Sequence, residues 1–236
     1  MYFFLVLGII TLVFYLKEKI NNYSVKACAI KSLASVFFIA VGVSGWYSSL
    51  SPNNISILGA FVVLGLLFGL LGDIWLDLKY VFPQEDKIFT YLGFIVFGIG
   101  HILYITGMNI EFYIPGNILY LIIPLLVATI SVAGVLLLEK PMKVNYGKFK
   151  AIVIAYSFIL FLMTAMSGSL AIMHSFKNIT LNLIFIGGIF FIASDLVLSG
   201  IYFGENNEKP INIIFNISLY YTAQFLIAFS LVFLGV

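Results

Sequence analysis

Eight runs of apolar residues, most of them the length of a membrane-crossing helix, take up nearly all of this 236-residue chain. They are Tyr2–Leu16, Ala27–Tyr47, Ile55–Leu78, Ile88–Ile110, Asn117–Leu138, Phe149–Met173, Asn178–Phe203 and Ile211–Leu234. A helix needs about 20 apolar residues to cross roughly 30 Å of hydrocarbon. Apolar residues make up 62% of the chain and charged residues 9%, whereas a soluble domain carries about a quarter of its residues charged. So few charges cannot clothe a water-facing surface, which excludes a soluble enzyme. Disorder is excluded as well, because it requires low hydrophobicity and high net charge. The expected fold is an all-α integral membrane protein, a single bundle of eight transmembrane helices spanning residues 1–236. The connections carry turn residues, as in Ser51-Pro52-Asn53-Asn54 and Glu139-Lys140-Pro141, and none is long enough to separate domains.

The first run is short, and Lys17, Glu18 and Lys19 follow it. It lacks the basic start and small-residue cleavage site of a signal peptide, so we read it as a retained first helix. Orientation follows from the lysines, which account for all 12 basic residues. The first, third, fifth and seventh connections and their flanks hold eleven of them, and Lys177 stands alone on the other side. The excess of positive charge marks the cytoplasmic side, which places both termini outside. The lack of arginine, with abundant Lys, Asn and Ile, suggests an AT-rich bacterial genome and hence the cytoplasmic membrane. A net charge of +2 without a basic tract gives no grip on nucleic acid. Cys28 is the only cysteine, which excludes an internal disulfide.

Ionisable groups at membrane depth are costly and therefore functional candidates. Glu18, Glu85, Asp86, Glu111, Glu139, Glu205 and Glu208 fall in connections, where solvation accounts for them. Asp77 and Lys79 lie at the cytoplasmic mouth of the third run. Asp73 and Asp195 lie deeper, at matched depth in the third and seventh helices, which run in the same direction. Each sits on a stripe of small residues: Gly65, Gly69 and Gly72 beside Asp73, Gly188 and Ser199 beside Asp195. Such stripes let helices approach closely and turn the acids inward. His101 and Tyr104 in the fourth helix, and Asn216, Tyr220, Tyr221 and Gln224 in the eighth, are the accompanying polar residues. Asp73 to Asp195 is 122 positions and His101 to Gln224 is 123, which hints at a parallel repeat of four helices and four.

Two carboxyl groups held close in a dry site cannot both ionise easily. One then serves as a proton donor and the other as a base, a pairing suited to hydrolysis of a bond that opens on protonation. A zinc hydrolase would need several His or Cys ligands, and only His101 lies at membrane depth. Paired acids also suit a proton- or cation-coupled transporter, and they could instead do no more than stitch helices together.

Gly72-Asp73-Ile74-Trp75-Leu76, Gly100-His101-Ile102-Leu103-Tyr104, Ala193-Ser194-Asp195 and Tyr220-Tyr221-Thr222-Ala223-Gln224, in that order on an eight-helix frame, resemble the lysoplasmalogenase (YhhN-like) family. The resemblance covers nearly the whole chain. It implies a membrane hydrolase that cleaves the vinyl-ether bond of lysoplasmalogens to a fatty aldehyde and a glycerophospho-alcohol such as glycerophosphoethanolamine. A vinyl ether hydrolyses through protonation of its β-carbon, which fits an Asp73/Asp195 acid/base pair, with the acid of the two left open. His101, Tyr104, Asn216, Tyr220, Tyr221 and Gln224 would then bind substrate, with Asp77 and Lys79 meeting the head group. The expected partners are a lysophospholipid substrate and the surrounding lipids, with no cofactor and no metal.

Overall fold

The computed structural model describes residues 1–21, 24–50, 56–112, 114–205 and 209–234. The Ser51–Asn54 turn and Glu208 lie outside them. Among the described residues there are eight α-helices, as the apolar runs require: α1 (Tyr2–Asn21), α2 (Val25–Ser49), α3 (Ile57–Val81), α4 (Asp86–Glu111), α5 (Leu119–Leu138), α6 (Lys150–Met173), α7 (Ile179–Phe203) and α8 (Pro210–Ser230). Helices α2 to α8 are long and apolar enough to cross a membrane. Helix α1 is not among these, since Lys17, Glu18 and Lys19 occupy its last turns.

Polar side chains set several of the starts. Ser24, Ser56 and Asn178 accept hydrogen bonds from the backbone N–H groups of Ala27, Gly59 and Leu181, so each occupies an N-cap and satisfies a donor that the first turn leaves open. Glu111, expected to be a solvated loop charge, instead accepts from the N–H groups of Ile57 and Leu58 at 3.1 and 3.3 Å. An acid there complements the exposed donors at the start of α3. Glu139 likewise accepts from Lys150 and from the Tyr146 N–H.

The helices alternate in direction. The first, third, fifth and seventh connections gather at one end, where the Asn145 N–H donates to the Phe203 carbonyl and the Tyr91 hydroxyl to that of Lys148. Small residues fix the closest approaches. The Tyr104 ring of α4 lies over Gly65 of α3, and a Cβ on Gly72 would sit 2.5 Å from the Phe97 ring. The outer face is lined with Ile, Leu, Val and Phe, as on the outward sides of α1, α5 and α7.

The order of neighbours repeats between the halves. In the first half α1 packs on α2, α2 on α3 and α3 on α4. In the second α5 packs on α6, α6 on α7 and α7 on α8; across the middle α2 meets α8 as α6 meets α4. Helices α3 and α7 start and stop 122 positions apart, and their caps Ser56 and Asn178 keep the same offset. The bundle is thus two four-helix units in parallel.

Candidate functional site

Asp73 sits on α3 where the glycines bring that helix against its neighbours, and it is 1% exposed. Its Oδ2 accepts from the Ser35 hydroxyl at 2.6 Å and the Tyr220 hydroxyl at 2.8 Å, while its Oδ1 faces the Lys31 ammonium at 3.2 Å. One turn on, Asp77 is 4% exposed. It pairs with Lys19 at 2.9 Å and Lys31 at 3.5 Å, and the Tyr15 hydroxyl lies 3.1 Å from its Oδ2. Two lysines and two aspartates therefore form a buried, compensated quartet across α1, α2 and α3, and buried charges persist only in such company.

Asp195 differs. It is half-buried on α7, and the Tyr156 hydroxyl of α6 donates to its Oδ2 at 2.6 Å. Among the described residues no lysine pairs with it. Asp73 and Asp195 line one cavity of about 710 Å³ together with Lys19, Lys31, Asp77 and Tyr220. No hydrogen bond joins the two acids; they face the same space from opposite helices.

The remaining expected residues divide into two sets. Tyr220 and Asn216 line the cavity. The Asn216 amide donates to the Ser194 carbonyl and hydroxyl, both at 2.9 Å, tying α8 to α7 in the cavity wall. Gln224 lies behind, donating to the Tyr220 hydroxyl at 3.0 Å. Tyr221 also lies behind, donating to the Lys31 carbonyl at 3.1 Å and touching the Ser35 hydroxyl at 3.0 Å. These two hold the ligands of Asp73 and do not line the cavity.

His101 and Tyr104 fall one to two turns deeper on α4, shut off by Phe97 and Phe191, whose rings pack edge-on at 6.0 Å. His101 is 1% exposed and, among the described residues, neither ring nitrogen has a hydrogen-bond partner. The helical register is the reason: α4 turns Phe94 and Phe97 to the cavity, and His101 lies past them. Asp77 is no mouth residue, because α3 continues to Val81 and α1 and α2 bring their lysines in over it. Lys79 stands behind the cavity wall, 3.2 Å from the centre of the Tyr202 ring and 3.7 Å from Asp86.

Lys31, Lys19, Tyr15, Ser35 and Tyr156 were hidden in the sequence. Lys31 lies four residues inside the second apolar run, where an ionisable group merits the same attention as Asp73, but it also counts toward the lysine asymmetry. Among the described residues no three His, Cys, Asp or Glu side chains gather as a metal-binding group.

The family model described as "YhhN family" matches residues 3–231. The chain belongs to the YhhN family. The match takes in both four-helix units and every residue of the cavity, so the quartet, Asp195 and Tyr156 all lie within the YhhN region. Comparison of this YhhN chain with curated proteins and with solved structures finds no match.

Proposed function

We propose that this YhhN-family protein is a lysoplasmalogenase-type ether hydrolase of the bacterial cytoplasmic membrane, with its lysine-rich end in the cytoplasm and both termini outside. The observation that carries the reading is the contrast between two acids facing one cavity. Asp73 is held by a cation and two hydroxyls, as a carboxylate would be, whereas Asp195 has a single tyrosine hydroxyl and open space. A carboxylate without a cation is costly in such a place, and a neutral carboxylic acid is the proton donor that a vinyl ether needs.

In this reading Asp195 gives its proton to the β-carbon of the vinyl ether, and the adjoining carbon becomes an oxocarbenium ion. The Asp73 carboxylate, on the other side of the cavity, stabilises that positive charge. Water adds to the cation and returns a proton to Asp195. The hemiacetal then collapses to a fatty aldehyde and the glycerophospho-alcohol, so one water is consumed and the acid is regenerated. Tyr156 orients Asp195, while Ser35, Tyr220 and Lys31 orient Asp73.

The test supplies purified protein with a lysophospholipid carrying a vinyl ether, a saturated ether or an ester, and measures aldehyde. Release from the vinyl ether alone, unaffected by exhaustive chelation, is the expected result. No release, together with proton-coupled flux in liposomes, would favour a carrier, a reading that the parallel repeat also accommodates.

A further inference from the structure

A second cavity of about 520 Å³ adjoins the first and shares Phe94, Tyr156, Asp195, Leu198 and Tyr202 with it. Asp195, Leu198 and Tyr202 recur at i, i+3 and i+7, so they form one stripe of α7 that divides the two lobes. Asp195 stands on the dividing line and borders both. Val135, Val153, Leu160, Phe161, Leu196 and Phe203 give the second lobe an apolar lining, the surface that hydrocarbon prefers to water.

The repeat explains the pairing of lobes. At the 122-residue offset, Lys31, Ser35, Asp73 and Asp77 correspond to Val153, Ser157, Asp195 and Ser199. The first four make up most of the charged site, and the second four all line the apolar lobe. The two lobes are therefore counterparts. One has kept two acids and a buried cation, and the other has an apolar residue where the lysine would be and a serine in place of the second acid.

Helix α5 contributes Val135 to this lobe and packs chiefly on α6. Leu196 of α7 both lines the lobe and is 36% exposed, so only this side chain's thickness separates the lobe from the outer surface there.

We infer that the apolar lobe holds the single hydrocarbon chain of an amphiphile, admitted from the bilayer between α5 and α7, while its polar head lies in the charged lobe. The inference rests on the reading of the site as one for a lysophospholipid and adds where the chain lies and how it enters. The junction of chain and head then falls at Asp195, which is where the ether bond of a lysolipid would be.

The test uses full-length protein in nanodiscs and a saturated 1-O-alkyl lysophosphatidylethanolamine, which protonation does not cleave, bearing a diazirine at the end of its chain. Cross-links mapped by mass spectrometry are expected on α5, α6 and α7 around Val135, Phe161 and Leu196, and an excess of unlabelled alkyl lysolipid should abolish them. Cross-links confined to α1, α2 or α8, or labelling that the competitor does not reduce, would overturn the assignment. Ser157→Trp and Val135→Trp, which fill the lobe, should lower labelling by a 16-carbon probe at least tenfold and spare an 8-carbon one. Equal labelling by both probes in both variants would also overturn it. Because the wild-type map needs no variant, a misfolded mutant does not obscure the result. Aldehyde release is scored separately. Labels in the lobe without release would sink the hydrolase reading alone, and release with labels elsewhere would sink only the lobe.

Discussion

Lys31 illustrates how one side chain can serve two acids. Its ammonium lies 3.2 Å from Asp73 and 3.5 Å from Asp77, and Lys19 balances the remaining charge. Replacing it with methionine keeps the volume but strands a negative charge in a buried site. Removing one partner of a buried pair costs about 3–5 kcal/mol. Lys31→Met should therefore lower the thermal unfolding midpoint in detergent and abolish aldehyde release, whereas Lys26→Met, at an exposed pair with Glu18, should leave both near wild type. The sequence marked Asp73 and Asp195 because charge at membrane depth has few harmless explanations. Lys31 escaped because charge near a helix end has an ordinary one. Ser35 carries no signal of its own, since a Ser or Thr hydroxyl in a membrane helix commonly bonds its own backbone, as Thr106 and Thr129 do here, and Tyr156 is one of 14 tyrosines, a residue type common in membrane proteins as an interfacial anchor.

At the scale of the helix, length and apolar content were legible, and the ends were less so. Helix α1 runs five residues past Leu16 because Lys19 is drawn to Asp77, an attraction that no local pattern records. Register decided which polar residues reach the cavity. Asn216 and Tyr220 fall on the inward stripe of α8, whereas His101 lies beyond Phe97 on α4. The contact between α3 and α4 depends on the absence of side chains at Gly65 and Gly72. Gly65→Leu would push into the Tyr104 ring, and overpacking of this kind costs about 1–3 kcal/mol. A drop in the unfolding midpoint should follow, with a smaller one for Gly134→Leu, where a Cβ meets nothing within 4 Å.

At the scale of the molecule, the two four-helix units place like positions at like depth, and the 122-residue spacing seen first in two aspartates extends to helix ends and caps. Divergence between the units, with lysine in one and valine in the other, turns a symmetric frame into a cavity with a charged side and an apolar side. The orientation proposed for it in the membrane rests on the lysines gathered at one end. With Cys28 buried, a cysteine introduced at Lys177 should react with an impermeant maleimide on intact cells, and one at Lys140 only after permeabilisation; the opposite pattern would invert the topology. The central claim is that Asp195 donates the proton while Asp73 stands by as a carboxylate. The most direct measurement is aldehyde release from a vinyl-ether lysophospholipid by purified wild type, Asp195→Asn and Asp73→Asn, each shown to be folded. The account predicts that Asp195→Asn, which removes the donor, lowers kcat at least a hundredfold, and that Asp73→Asn also lowers it by losing charge stabilisation. Release at the wild-type rate from Asp195→Asn would contradict it.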